Sequence, residues 1–310
     1  MKLAMIGLGK MGANMTRRLA GDGHEIVAYD VSTQAVDALA GELDGVTPAR
    51  DPAEVVAGLP SPRVVWLMVP HQVVDATIDE LLSAGRGAGD LVVDGGNSNY
   101  KLSQERAARL DGNGIHFVDC GTSGGVWGLE NGYSMMVGGT DEAIALLQPA
   151  LESLAPTPQT GWGHVGPAGA GHYVKMVHNG IEYGLMQAYA EGFELMQARE
   201  DLALDMHQVA AIWQHGSVVR SWLLDLIAEA LGEPGRMEAL SDYVEDSGEG
   251  RWTVYDGIEN AVPTPVLALA LQMRFRSRQD PSYAGKLLNA MRAGFGGHSI
   301  RPAGSGDDTA

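Results

Sequence analysis

The sequence predicts a doubly wound α/β sheet followed by an all-α domain. Three observations carry this expectation. Short apolar runs alternate with helical stretches up to about residue 165. The first run enters a glycine-rich turn, Gly7-Leu-Gly9-Lys-Met-Gly12, that opens a helix. From Ala168 onward no clear strand pattern remains and helical periodicity takes over. The expected domains are therefore residues 1–165, residues 166–300 and a disordered tail over 301–310, whose composition is polar and glycine-rich. A chain of 310 residues suits two domains.

Lys2–Ile6 reads as a short strand and the helix after it ends near Gly21. Between them lies the dinucleotide fingerprint in its strand–turn–helix context. Gly7 permits the tight turn, Gly9 lets a pyrophosphate approach the backbone, and Gly12 allows helix to pack on strand. The helix N-terminus offers N–H groups and a positive dipole end to phosphates. This is a Rossmann-type start, so Gly7, Leu8, Gly9, Lys10, Met11 and Gly12 are expected at the cofactor. The strand Glu25–Tyr29 ends at Asp30. A carboxylate there can accept from both ribose hydroxyls of NAD and would repel a 2′-phosphate, and no arginine follows within Val31–Gln34. NAD is the expected cofactor.

Arg63–Val69 is a near-continuous apolar run, as a buried parallel strand should be, and Val69 at its end is expected near the cofactor. Leu91–Val93 leads into Asp94-Gly-Gly-Asn97-Ser98, and Ile115–Asp119 leads into Cys120-Gly-Thr-Ser123-Gly124-Gly125. Strand ends at the switch point of a doubly wound sheet are where ligands bind, so both turns, with Asn97 and Ser123, are expected beside the cofactor. Tyr133–Val137, a helix over about 141–154 and Gln159–Val165 complete the domain, with Gly161–Gly166 as the boundary. Helices are then expected over about 168–198, 205–215, 217–231, 235–245, 251–261, 264–278 and 281–293.

The formal net charge of −18, from 39 acidic against 21 basic residues, argues against non-specific nucleic-acid binding and against an anionic membrane surface. No apolar run approaches the ~20 residues of a membrane helix. The first six residues resemble the start of a signal peptide, but glycines and Arg17-Arg18 follow, so export is not expected. The single cysteine, Cys120, reads as a small buried hydrophobe, and its solitude fits a reducing cytoplasm.

Lys175-Met-Val-His-Asn-Gly-Ile-Glu-Tyr183 is the stretch that carries chemistry. On a helix, Lys175, His178, Asn179 and Glu182 fall on one face, with Tyr183 at its edge and Val177 and Ile181 opposite. An ordinary solvated face fits poorly. The chain has five lysines and places one beside four other proton-handling or hydrogen-bonding groups. Polar groups on a packed helix must face partners or a water-filled cleft. The small and apolar flanks, Ala168–Gly171 and Gly184–Met186, suggest packing on several sides.

These motifs, with Phe295-Gly-Gly-His298, resemble the short form of the decarboxylating 6-phosphogluconate dehydrogenases over roughly residues 1–298. The resemblance implies oxidation of a small anionic sugar phosphate with Lys175 as general base and Glu182 as general acid. It implies that His178 and Asn179 hold the substrate's hydroxyls and C3, and that Asn97, Ser123, Gly124 and Gly125 hold its carboxylate end. Tyr183, Arg251, Thr253 and Arg274 would bind phosphate. Arg292 and His298 match a tail pair that, in the family, reaches into a neighbouring subunit's site.

The long family form has a second helical half that this sequence lacks. The resemblance therefore implies a homodimer or homotetramer with shared active sites. No metal, nucleic acid or membrane partner is implied. Two departures stand out. Arg251 occupies a position where the family usually has lysine, and arginine can bind phosphate bidentately. Many relatives read Asn-Arg-Thr after the second strand and use NADP, whereas this chain reads Asp30-Val-Ser32. Two other readings stay open. A 3-hydroxyisobutyrate or tartronate-semialdehyde type dehydrogenase shares the lysine and asparagine but gives no reason for His178, Glu182 and the arginines. A non-catalytic NAD-binding protein gives no reason for the base–acid stripe.

Overall fold

The computed structural model describes residues 1–85, 87–279 and 282–296. His298 and the expected tail over 301–310 lie outside them. Eight strands form one sheet: β1 (Lys2–Ile6), β2 (Glu25–Tyr29), β3 (Val46–Pro48), β4 (Val64–Leu67), β5 (Leu91–Asp94), β6 (His116–Ser123), β7 (Ser134–Gly138) and β8 (Trp162–Gly166). Their order is β3-β2-β1-β4-β5-β6-β7-β8. The first six are parallel, β7 runs antiparallel to β6, and β8 is parallel to β7. This is the expected doubly wound arrangement, whose order reverses between β1 and β4 and so opens a crevice beyond their carboxyl ends.

The connecting helices are α1 (Lys10–Gly21), α2 (Thr33–Glu42), α3 (Pro52–Ala57), α4 (Val74–Ser83), α5 (Tyr100–Asp111), α6 (Gly128–Asn131) and α7 (Asp141–Leu154). The two-residue period of a strand sends alternate side chains to opposite faces. Leu3 and Met5 join a core with Met15 and Leu19 of α1 and Leu147 and Leu151 of α7. Ala4 and Ile6 join a second core with Ile78 and Leu81 of α4 and Leu110 of α5. Each large side chain so buried contributes about 1.5–3 kcal/mol. A one-residue slip would exchange the faces, so the pattern also fixes the register.

Three local expectations need correction. The strand expected over 63–69 stops at Leu67, and Met68 and Val69 lead into a turn in which Val73 N–H donates to Pro70 O. β3 was not expected; it has three residues and ends in proline, which an edge strand tolerates. Cys120–Ser123 is strand and not turn, because β7 pairs with it from Asp119↔Gly138 to Ser123↔Ser134. The turn begins at Gly124.

By their internal contacts the residues form two units. One comprises Met1–Glu182 with Gly248–Thr264, the other Tyr183–Ser247 with Pro265 onward. The remaining helices are α8 (Ala170–Gln197), α9 (Met206–Trp213), α10 (Trp222–Gly232), α11 (Arg236–Ala239), α12 (Glu249–Glu259), α13 (Pro265–Arg276) and α14 (Tyr283–Gly296). The first unit takes the opening turns of α8 and all of α12. In the second unit, Ala210, Leu224 and Ala228 form a small core with Tyr189, Phe193 and Trp213 around them.

The helix expected over 217–231 starts at Trp222 because Ser221 Oγ accepts from Leu224 N–H and caps it. The helix expected over 235–245 shrinks to the four residues of α11. Beyond it, side chains from α13 and the turn after it satisfy the backbone instead. Arg274 donates to Glu245 O, Arg278 donates to Val244 O, and Ser277 Oγ accepts from Val244 N–H. Among the described residues no helix is long and apolar enough to cross a membrane.

Candidate active site

The first βα turn is shaped for a dinucleotide. Gly7 sits at φ +94°, where a Cβ would stand 2.6 Å from Met68 O. A Cβ on Gly12 would overlap Gly7 O, so only glycine lets α1 start this close to β1. A Cβ on Gly9 would meet nothing within 4 Å, which leaves open space over the backbone. Gly9 caps α1 without a side chain, so no capping group covers the first-turn N–H groups of Lys10 and Met11.

Asp30 is held by two backbone donors, Leu8 N–H at 2.6 Å and Ser32 N–H at 2.8 Å. Ser32, and not Asp30, caps α2. An ionised carboxylate has about four acceptor positions, so two remain for ribose hydroxyls. Val69 stands between this turn and the next: its Cγ1 lies 3.0 Å from a Cβ built on Gly7, and its carbonyl lies 2.9 Å from one built on Gly96. The fingerprint residues, Asp30, Val69 and the turn bearing Asn97 are thus brought together, and they fit a dinucleotide.

The turn after β5 is braced from below. Asp94, fully buried, accepts from Gly96 N–H and Ser98 Oγ, and pairs with Arg106 of α5 at 3.0 Å. Arg106 also pairs with Asp75 at 2.8 Å. With its base so held, the turn leaves Asn97 exposed.

β6 is tied to the start of α8 through Asp119. That buried carboxylate accepts from Gly169 N–H at 2.6 Å and His172 N–H at 2.7 Å, and burial pushes it above the usual carboxylate range. The tie presses backbone on backbone. A Cβ on Gly171 would overlap Asp119 O, and a Cβ on Gly121 would overlap the Lys175 side chain. Lys175 is therefore laid against bare strand backbone.

Lys175 and Asn179 are buried, whereas His178 and Glu182 are half-exposed, as residues lining a cleft would be. Lys175 Nζ donates to Asn179 Oδ1 at 2.7 Å, and His178 Nδ1 lies 3.1 Å from the same oxygen and 3.9 Å from Glu182. Burial lowers the lysine below its ordinary range, opposed by the charges of Glu249 and Glu182. A lowered amine is what a general base at neutral pH needs. The expectation that α8 packs on several sides is not met within the described chain: Val174, Ile181, Leu185 and Met186 are exposed.

Ser123 ends β6, and Gly124 and Gly125 follow at φ +132° and +51°, values that side-chain-bearing residues rarely adopt. Cys120 is fully buried and its thiol is pushed up to about 12 by burial, so it packs and does not react.

The expected phosphate ligands divide between the units. In the first, Arg251 is exposed on α12, and the buried Thr253 hydroxyl donates to Met176 O at 2.8 Å. In the second, the Arg274 guanidinium stacks 3.5 Å from the centre of the Tyr183 ring, and Tyr183 Oη accepts from Ser247 N–H at 3.1 Å. Arg292 is exposed on α14.

Glu249 is a further residue of this site, one that the sequence pattern does not single out. It is 2% exposed and accepts from Asn179 Nδ2. Its only sequence signal was an acid between two glycines just ahead of Arg251.

Residues 2–163 match the model of the NAD binding domain of 6-phosphogluconate dehydrogenase, and residues 171–286 match that of the 6-phosphogluconate dehydrogenase C-terminal domain. The chain belongs to the 6-phosphogluconate dehydrogenase family. Within this family, the NAD(+)-dependent, decarboxylating 6-phosphogluconate dehydrogenase of Haloferax volcanii is 45% identical over 97% of this chain and 98% of its own. The solved Plasmodium falciparum 6-phosphogluconate dehydrogenase, described in apo form and in complex with NADP+ and with 6-phosphogluconate, superposes with a TM-score of 0.83 at 27% identity. That match covers 99% of this chain and 67% of the other. A 3-hydroxyisobutyrate dehydrogenase of Mycobacterium tuberculosis superposes with a TM-score of 0.70 at 26% identity, covering 90% and 94%.

Proposed function

We propose that this chain oxidises and decarboxylates 6-phospho-D-gluconate to D-ribulose 5-phosphate and CO₂ with NAD as the oxidant. The observation that carries this reading is the buried Lys175 amine held by Asn179 on the helix that also presents His178 and Glu182. Family membership and the NAD(+)-dependent relative support the substrate and cofactor.

The dinucleotide would be held by Gly7, Leu8, Gly9, Lys10, Met11 and Gly12, with Asp30 on its ribose and Val69 and Asn97 beside it. When bound, NAD supplies the hydride acceptor. Neutral Lys175 takes the proton of the C3 hydroxyl as hydride leaves. The ammonium so formed then polarises the C3 ketone, and the C1 carboxylate departs as CO₂. Glu182 returns a proton to the substrate's C2 in the enediol, and that carbon becomes C1 of ribulose 5-phosphate. Asn97, Ser123, Gly124 and Gly125 hold the carboxylate end, and His178 and Asn179 hold the hydroxyls.

Arg251, Tyr183 and Arg274 bind the phosphate. With its hydroxyl committed to Met176 O, Thr253 serves first to seat α12 on α8. Residues 1–165 would supply the cofactor site and 166–300 the substrate and assembly functions, a division by role that does not follow the two compact units. The enzyme works in the cytoplasm as a homodimer or homotetramer, with Arg292 and His298 completing a neighbour's site. The exposed apolar residues Ile181, Leu185, Leu269 and Leu288 support such an assembly.

NADH formation followed by absorbance, with 6-phosphogluconate, 3-hydroxyisobutyrate and no substrate in parallel, tests the proposal. Turnover is expected with the phosphorylated acid alone. Comparable turnover of 3-hydroxyisobutyrate would overturn it.

A further inference from the structure

Glu249 has no part in the chemistry above, yet it is built into it. It lies in the first turn of α12, almost fully buried, and accepts from Asn179 Nδ2. The other end of that amide, Oδ1, accepts from Lys175 Nζ at 2.7 Å. Lys175 Nζ donates here, as its ammonium form only can, and an ionised carboxylate can only accept. One orientation of the Asn179 amide satisfies both partners. The flipped one would set NH₂ against the amine and oxygen against the carboxylate.

α12 is held on α8 next to Glu249. Thr253, four residues on, donates to Met176 O of α8, and Gly180 leaves the room for it: a Cβ there would stand 2.6 Å from Thr253 Cγ2. A neutral amine has two N–H groups and one lone pair. Giving one N–H to Asn179 restricts its rotation and directs the lone pair.

The charged and titratable groups around the amine come from three elements. α12 supplies Glu249, and α8 supplies Glu182, His178 and His172. β6 supplies Asp119, whose carboxylate is occupied by the N–H groups of Gly169 and His172, and otherwise presents the bare backbone of Gly121. Of these, Glu249 is the acid linked to the lysine through a single amide.

We propose that Glu249 is a positioning residue for the oxidation step: it fixes the Asn179 amide so that the Lys175 amine is aimed. Its carboxylate, which burial raises above the usual range, also acts on the protonation of that amine. The proposal rests on Lys175 being the base in the reaction above. The sign follows from the charges. Burial favours the neutral amine and Glu249 favours the charged one. Removing the charge of Glu249 therefore lets Lys175 lose its proton at lower pH.

Glu249→Gln keeps an oxygen for Asn179 Nδ2 and removes the charge, whereas Glu249→Ala removes both. The direct readout is the ¹⁵N titration of Lys175 Nζ in lysine-labelled full-length protein, assigned with Lys175→Met; five lysines make this tractable. In both variants the midpoint should fall by about one pH unit, the low end of what a close opposite charge does. The acid limb of kcat/KM should move with it. Plateau kcat should hold within a few-fold in Glu249→Gln and fall at least tenfold in Glu249→Ala, with the KM for NAD unchanged. An unmoved midpoint in either folded variant overturns the charge role, and an undiminished plateau in Glu249→Ala overturns the aiming role. The titration needs no turnover. Wild-type protein inactive on 6-phosphogluconate would refute the proposed reaction, while the titration still decides whether Glu249 controls the amine.

Discussion

Asp30 is the residue proposed to set cofactor choice, and the structure sets the cost of changing it. Its two oxygens already accept from Leu8 N–H and Ser32 N–H at 2.6 and 2.8 Å. Asp30→Asn replaces one oxygen by NH₂, so one of those N–H groups then faces a donor. The site is half-exposed and water can take up part of the loss, which leaves a cost of about 1–2 kcal/mol. Ser32→Arg, added to offer a 2′-phosphate a cation, also removes the Oγ that accepts from Ala35 N–H at 3.3 Å and caps α2. Losing that cap costs about 1 kcal/mol more. The double variant should therefore melt about 5–10 °C below wild type. Losing the charged acceptor for a ribose hydroxyl removes about 1.5–3 kcal/mol, or about 10- to 150-fold in kcat/KM for NAD. NADP efficiency should rise at the same time. Steady-state kinetics with both cofactors, beside thermal melts, tests this. Wild type that uses NADP as efficiently as NAD would refute the reasoning, as would a double variant whose NAD efficiency stays within two-fold.

Three further outcomes are expected. Lys175→Met should lower kcat by about 10²–10⁴-fold with NAD affinity nearly intact, and retention of more than a tenth of wild-type kcat would mean another residue is the base. Gly121→Ala puts a Cβ into the Lys175 side chain and 2.8 Å from Gly171 O. It should cost about 1–3 kcal/mol in melts and displace the lysine enough to lower kcat about 10²-fold; unchanged kcat would show that the strand backbone does not position the amine. Mixing inactive Lys175→Met with inactive Arg292→Ala subunits should restore activity, since a mixed dimer holds one site with both residues intact, and no recovery despite demonstrated subunit exchange would mean that each subunit completes its own site.

What was legible in the sequence was local. The β1–α1 turn announces itself because three glycines stand at fixed spacing between a strand and a helix, and two of them, Gly7 and Gly12, meet directly. The α8 stripe was legible because Lys175 and Asn179 lie one helical turn apart and meet on the same element. What escaped was made by distant contacts. Glu249 reaches Asn179 across 70 residues, and an acid in a helix's first turn is ordinarily explained by the helix dipole alone. Arg106 is buried by Asp94 and Asp75, partners from other elements that no local pattern around residue 106 announces. Cys120–Ser123 reads as a turn because Gly121 and the Gly124-Gly125 pair break the strand pattern; the antiparallel partner β7 overrides that preference. The segment after α11 read as helix, but arginines and a serine from beyond residue 273 bind its backbone in another shape.

In the proposed reaction, oxidation and decarboxylation are coupled on one site. The most direct measurement supplies 6-phosphogluconate labelled with ¹³C at C1, with NAD, and counts labelled CO₂ against NADH. One CO₂ per NADH is expected throughout the time course, with ribulose 5-phosphate as the remaining product. NADH formed without labelled CO₂ would contradict this coupling and make the enzyme a non-decarboxylating hydroxyacid dehydrogenase.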